Sequence, residues 1–89
     1  MVELSGRKKR ELRSILKTRP VDLKIGKRGL TEEFMRECAK ILSNDRMIKL
    51  SLPADKNLQN KWMSVFSDKT STLCIAKVGK TAAFYQPDE

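Results

Sequence analysis

Histidine is missing from all 89 residues, and with it goes most of the catalytic chemistry open to so short a chain. Without an imidazole there is no common general base and no usual partner for a serine or cysteine nucleophile. The two cysteines, Cys38 and Cys74, cannot complete a four-ligand zinc site unaided and could close one disulfide at most. Both fall on apolar faces of their segments and read as small buried hydrophobes. Aromatics make up only 6% of the chain, which leaves few rings for stacking nucleic-acid bases on an open sheet. No apolar run approaches the roughly 18 to 20 residues that cross a bilayer, and no signal-peptide or transit segment opens the sequence. These absences predict a soluble, cytoplasmic protein that is not an enzyme and has no metal, no cofactor, no small-molecule substrate and no membrane association.

Acidic side chains are the other shortage. Eleven Asp and Glu stand against 19 Lys and Arg, a net charge of +8, and that balance favours a polyanionic partner. The excess is uneven: residues 1–28 hold ten basic and three acidic side chains, while residues 29–89 hold nine and eight. The hydrophobic fraction of 39% supports one core in a chain of this length, so a single domain over residues 1–89, with its core at about 4–87, is expected.

What is present alternates between two periods. From Leu4 to Thr18, Leu4, Leu12, Ile15 and Leu16 share one sector at helical spacing, while Arg10, Arg13 and Lys17 point the opposite way. Ser5 is placed to cap this helix and Arg19-Pro20 to stop it, because a residue before proline is pushed out of the helical region. Lys8 alone disagrees, projecting into the apolar sector, where its stem can lie along the surface with its charge in water. Val21 to Ile25 alternates as a strand with Val21, Leu23 and Ile25 inward. A second helix follows, capped by Thr31, with Glu32 and Glu33 in its positive first turn, Leu30 stapled onto Met35, and Phe34, Met35, Cys38, Ile41 and Leu42 facing the core. Its outer residues, Glu33, Arg36, Glu37 and Lys40, nearly cancel in charge. Asn44-Asp45 closes it, and Met47 to Leu52 resumes a strand that Pro53 ends. Asp55 caps a third helix whose predicted buried set is Leu58, Trp62, Val65 and Phe66. Leu73–Val78 and Thr81–Tyr85 form a hairpin about Gly79-Lys80. The order α-β-α-β-α-β-β predicts an α/β fold with a four-stranded mixed sheet and helices packed on it.

Gly26-Lys27-Arg28-Gly29 lies between a strand and a helix start. Glycine tolerates positive φ and lets another backbone approach closely. Lys27 and Arg28 supply charge there, and the helix start offers unpaired N–H groups. The arrangement resembles the Gly-x-x-Gly loop with which KH domains clamp single-stranded nucleic acid. Gly79-Lys80-Thr81 looks like the end of a nucleotide-binding P-loop, but Cys74 stands where the first glycine belongs and the segment joins two strands, so that reading fails.

Taken together, Leu4-Ser5 opening a basic helix, Ile25-Gly26-Lys27-Arg28-Gly29-Leu30-Thr31-Glu32, Ile48-Lys49, and Val78-Gly79-Lys80-Thr81 followed by Phe84-Tyr85 form a recognisable pattern. From about Leu4 to Pro87 the sequence resembles the CRM domain, the chloroplast RNA splicing and ribosome maturation module, in its stand-alone YhbY-like form. The resemblance implies a fold similar to the C-terminal domain of translation initiation factor three. It also implies RNA binding, in bacteria to precursors of the large ribosomal subunit, with the Gly-x-x-Gly loop at Gly26, Lys27, Arg28 and Gly29. This chain departs from the family at Arg46-Met47, where Glu-Leu is usual, and at Gln86, where Arg is usual. The resulting expectation is an RNA-binding monomer. Arg10, Arg13, Lys17, Lys24, Lys27 and Arg28 form one basic strip beside Gly26 and Gly29, and the partner is ribosomal RNA or a pre-ribosomal particle. The alternative is a module that docks an acidic protein without touching RNA.

Overall fold

The computed structural model of the protein describes residues 5–87. Helix α1 spans Gly6–Thr18, strand β1 Leu23–Lys24, α2 Glu32–Asp45, β2 Met47–Ser51, α3 Lys56–Thr70, β3 Leu73–Val78 and β4 Thr81–Tyr85. This is the element order expected from the sequence. All three predicted caps are made: Ser5 accepts from Lys8 N, Thr31 from Phe34 N, and Asp55 from the N–H groups of Asn57 and Leu58. Leu4, read as part of the first helix's apolar sector, lies outside the described residues.

The strands are ordered β1-β2-β4-β3. β1 pairs with β2 in parallel, and β2 and β3 both run antiparallel to β4, so β1, β2 and β3 share one direction. The connection through α3 carries the chain past the slot beside β2, and the hairpin then returns β4 into it. Successive strand residues face opposite sides, and the packing follows that parity. Ile48, Leu50, Ala82 and Phe84 join Cys38 and Leu42 of α2 and Phe66 of α3 in one buried cluster. Met47, Ala83 and Tyr85, which alternate with them, meet Leu12 and Leu16 of α1 in a second. The result is a three-layer sandwich with α2 and α3 on one face and α1 alone on the other. Phe66 and Phe84 meet with ring centroids 4.8 Å apart.

Four packing expectations are corrected. Ile15 is 51% exposed: among the described residues α1 is the only helix on its face, touches the sheet through Leu12 and Leu16, and has no neighbour to cover a residue one position round. Val21 is also exposed, and the first strand shrinks to Leu23–Lys24. Ahead of it, the Asp22 carboxylate takes over part of the ladder by accepting from Lys49 N at 2.8 Å. In α3 the inward stripe runs through buried Gln59 and Phe66 and half-buried Trp62 and Met63, which leaves Leu58 exposed and Val65 half-buried. Gln59 tolerates burial because its Nε2 donates to Pro53 O at 2.7 Å. Cys74 is exposed, since it sits on β3 at the sheet's edge, whereas Cys38 is buried as expected. Burial, with lesser help from the charges of Asp22 and Glu37, pushes the Cys38 thiol up to about 12.

Candidate nucleic-acid interface

Because β1, β2 and β3 are parallel, the chain leaves all three at the same end of the sheet. That end carries the Gly26–Gly29 loop, the Leu52-Pro53 segment and the Gly79-Lys80 turn. Ile25 N donates to Ser51 O, and Leu52 N donates to Lys80 O. Open α/β sheets bind ligands at such ends.

Arg10, Arg13 and Lys17 recur at helical spacing along one flank of α1 and line a single groove of about 690 Å³ between that helix and the half of the sheet it leaves open. Val78 and Thr81 form part of its floor. Strand register relates Lys24 to this groove: Lys24 is paired with Ser51, Ser51 with Thr81, and Thr81 with Val78. The four residues make one row across four strands, about 14 Å long at the usual inter-strand spacing. Parity puts Lys24 on the α1 face, because Leu23 beside it packs into the opposite cluster. Lys27 and Arg28 follow within four residues of Lys24, exposed at the tip of the loop. The structure therefore joins Arg10, Arg13 and Lys17 in one groove, whereas Lys24, Lys27 and Arg28 lie outside its lining, Lys24 in register through Ser51 with the groove residue Thr81.

Fixed partners separate the available cations from the structural ones. Arg19 is held by Asp22 at 2.9 Å and Asp45 at 2.7 Å. Those hydrogen bonds, the one to Asp22 foremost, raise its pKa above the ordinary arginine value. Lys49, which the sequence reading quoted in the family pattern without giving it a role, donates from Nζ to Leu16 O at 3.1 Å and Arg19 O at 2.9 Å, so it secures the last carbonyls of α1 from the sheet below. Its position between Met47 and Ser51 was the available signal, since that parity faces α1. Arg13 spends its Nε on Ile75 O at 3.1 Å, and its two terminal nitrogens remain. Arg10, Lys17, Lys24, Lys27 and Arg28 have no acidic partner within 4.0 Å among the described residues. The outer face of α2 is different: Arg36 pairs with Glu32 and Lys40 with Glu37, as its cancelling charges implied. Lys8 lies with Nζ 5.8 Å from the Tyr85 ring centroid, which explains a lysine in the apolar sector.

The two loop glycines have different jobs. Gly29 N donates to Gly26 O at 3.0 Å, closing a four-residue turn with Lys27 and Arg28 at its tip. Gly29 has φ +71°, and a Cβ added to it would stand 2.3 Å from Trp62 Cζ2. Glycine is required there by backbone and packing. Gly26 has open space in the direction of a Cβ and no positive φ. The start of α2 is partly satisfied from within the chain: Thr31 accepts from Phe34 N, and Glu32 and Glu33 occupy the positive first turn. Lys27 and Arg28 are thus the groups with which this corner can attract an anion. Trp62 packs against the core, with Lys61 Nζ 5.0 Å from its ring centroid.

Among the described residues there is no group of three or more His, Cys, Asp and Glu able to hold a metal ion, and no helix long and apolar enough to cross a membrane.

Comparison with known proteins agrees with this architecture. The solution structure of the hypothetical protein SAV1595 from Staphylococcus aureus, described as a candidate RNA-binding protein, superposes with a TM-score of 0.80 at 23% identity, covering 98% of this chain and 92% of that one. At that identity the likeness shows a shared fold. A search of curated proteins finds no match. The family model for the CRS1 / YhbY (CRM) domain matches residues 4–86, nearly the whole sequence, and the chain belongs to that family.

Proposed function

We infer that the protein is a non-enzymatic RNA-binding module that grips phosphates with Arg10, Arg13 and Lys17 of α1, Lys24 of β1, and Lys27 and Arg28 beside Gly26 and Gly29. The observation that carries the reading is the shared groove: three cations of one helix flank face an open sheet surface, whose Thr81 is in register through Ser51 with Lys24. Family membership and the description of the Staphylococcus aureus neighbour support RNA as the polyanion. Within this reading the protein acts as a cytoplasmic monomer, and its RNA is ribosomal, bound during assembly of the large subunit or RNA maturation. Phosphate contacts dominate, so sequence preference is low.

Neutralising four to six phosphates gives a slope of log affinity against log salt of about −3 to −4 on a single strand. The test is a titration of labelled RNA by fluorescence anisotropy at several salt concentrations. In the Arg10→Glu/Lys17→Glu double variant, affinity should fall and the slope should flatten by about 1.4. Both residues are exposed, so the fold is kept. Unchanged affinity and slope would overturn the helix as the contact surface, and the same outcome for Lys27→Glu/Arg28→Glu would remove the loop. Co-sedimentation with large-subunit precursors tests the ribosomal partner separately.

A further inference from the structure

The floor of the groove differs chemically from its rim. The rim carries Arg10, Arg13 and Lys17, whereas Val78 and Ala83 of the sheet, with Val21 ahead of β1, supply aliphatic lining beneath them. Val78 is 78% exposed and Val21 44%, so aliphatic surface stands open to water beside three cations. Little on this floor can read a polar edge. The Lys49 ammonium is committed to two carbonyls of the α1 terminus, which leaves chiefly the hydroxyls of Ser14 and Thr81.

Cations alone accept phosphates from any strand, but an exposed aliphatic floor is not explained by phosphate binding. A duplex turns its phosphates outward and keeps its bases stacked inside, so it offers nothing apolar to a concave surface. An unpaired strand offers a charged backbone and a flat base face in the same nucleotide. The rim complements the first and the floor the second.

We propose that this groove takes unpaired RNA, with base faces lying on Val78 and Val21 while the adjoining phosphates pair with Arg10, Arg13 and Lys17. The protein therefore discriminates single-stranded from duplex RNA, and discriminates little among the four bases. This rests on the RNA-binding reading above and adds the structural state of the RNA to it.

The test uses the full chain and three labelled RNAs with equal numbers of phosphates: a single strand, a hairpin duplex, and a single strand whose central units are abasic ribose-phosphates. Wild-type protein should bind the ordinary single strand most tightly. Val78→Ser should weaken that binding about threefold to tenfold, the scale of losing contact with part of a valine side chain. The salt slope should stay the same, because no charge has changed. Affinity for the duplex and the abasic strand should not respond, and Ile15→Ser, which alters an exposed aliphatic residue outside the groove, should be silent on all three. If a melting curve shows Val78→Ser to be poorly folded, Val78→Thr keeps the β-branched shape suited to a strand and serves instead. Equal affinity for the three RNAs, or a valine substitution that weakens all or none of them, overturns the groove assignment alone. Wild-type protein that binds none of them in a salt-dependent way overturns the RNA reading, and the groove's occupant with it.

Discussion

Replacing Gly29 with alanine isolates the structural work of the loop. Two costs add. Holding a residue with a Cβ at φ +71° costs about 1–2 kcal/mol, because the left-handed region crowds Cβ against the following carbonyl. The new methyl would also stand 2.3, 2.5 and 2.9 Å from three atoms of the Trp62 ring, so the ring or the loop must shift, and overpacking of this kind costs about 1–3 kcal/mol. The sum, about 2–5 kcal/mol, is a large share of the roughly 5–15 kcal/mol that stabilises a typical domain. Urea denaturation followed by circular dichroism measures it, and emission from Trp62, the only tryptophan in the chain, reports the local rearrangement. A double-mutant cycle separates the two costs. In a Trp62→Leu background the ring is gone, and the added cost of Gly29→Ala should shrink toward the backbone portion alone. A penalty below about 0.5 kcal/mol, the range of an unremarkable surface change, or one equal in both backgrounds, would refute the reasoning. Gly26→Ala is the internal contrast: with open space and ordinary φ, it should leave stability nearly unchanged.

Three further outcomes are expected. Lys49→Met keeps the aliphatic stem but removes both hydrogen bonds to the end of α1; it should cost about 1.5–3 kcal/mol in urea denaturation, and a loss under half a kilocalorie would mean that water replaces the ammonium freely. Ellman's reagent should titrate Cys74 and not Cys38 in the native protein, and both after unfolding; rapid reaction of two thiols without denaturant would contradict the burial of Cys38. Cys38 also sets a pH dependence. Its folded pKa is raised to about 12 against an unfolded value near 8.5, so the stability it contributes is complete below about pH 8.5 and is lost as pH rises from there toward 12, by at most about 1.4 kcal/mol per unit. A Cys38→Ala variant should lack that alkaline loss.

Sequence legibility followed the range of the interactions. The helix starts were readable because each is set within a few residues: Ser5, Thr31 and Asp55 all cap as their spacing implied. The stripe of α2 was readable because a sheet covers one side of that helix continuously. Where a neighbour had to be known, the reading failed. Ile15 and Leu58 look as apolar as Leu16 and Phe66, and they are exposed because α1 has no companion on its face and because Gln59 finds a carbonyl that draws the inner stripe of α3 one position round. Cys74 sits in an apolar strand, but that strand is the sheet's edge.

For the candidate site the division is similar. Composition and periodicity by themselves fixed the sign of the surface, the concentration of positive charge in residues 1–28 and the helical flank shared by Arg10, Arg13 and Lys17, since charge count and a 3.6-residue repeat need no tertiary contact. Only the folded chain decided which cations remain available. Arg19 and Lys49 are as basic as Arg10 and Lys17, yet Asp22, Asp45 and the carbonyls of α1 engage them from elements 3 to 33 residues away in sequence. Tertiary structure also decided that Gly29 is held by Trp62 while Gly26 is open, and that a crossover past one strand position brings Thr81 and Val78 into one groove with the basic flank of α1. Local patterns record what a residue is, but which partner neutralises, covers or frees it is settled when the folded chain brings the two together.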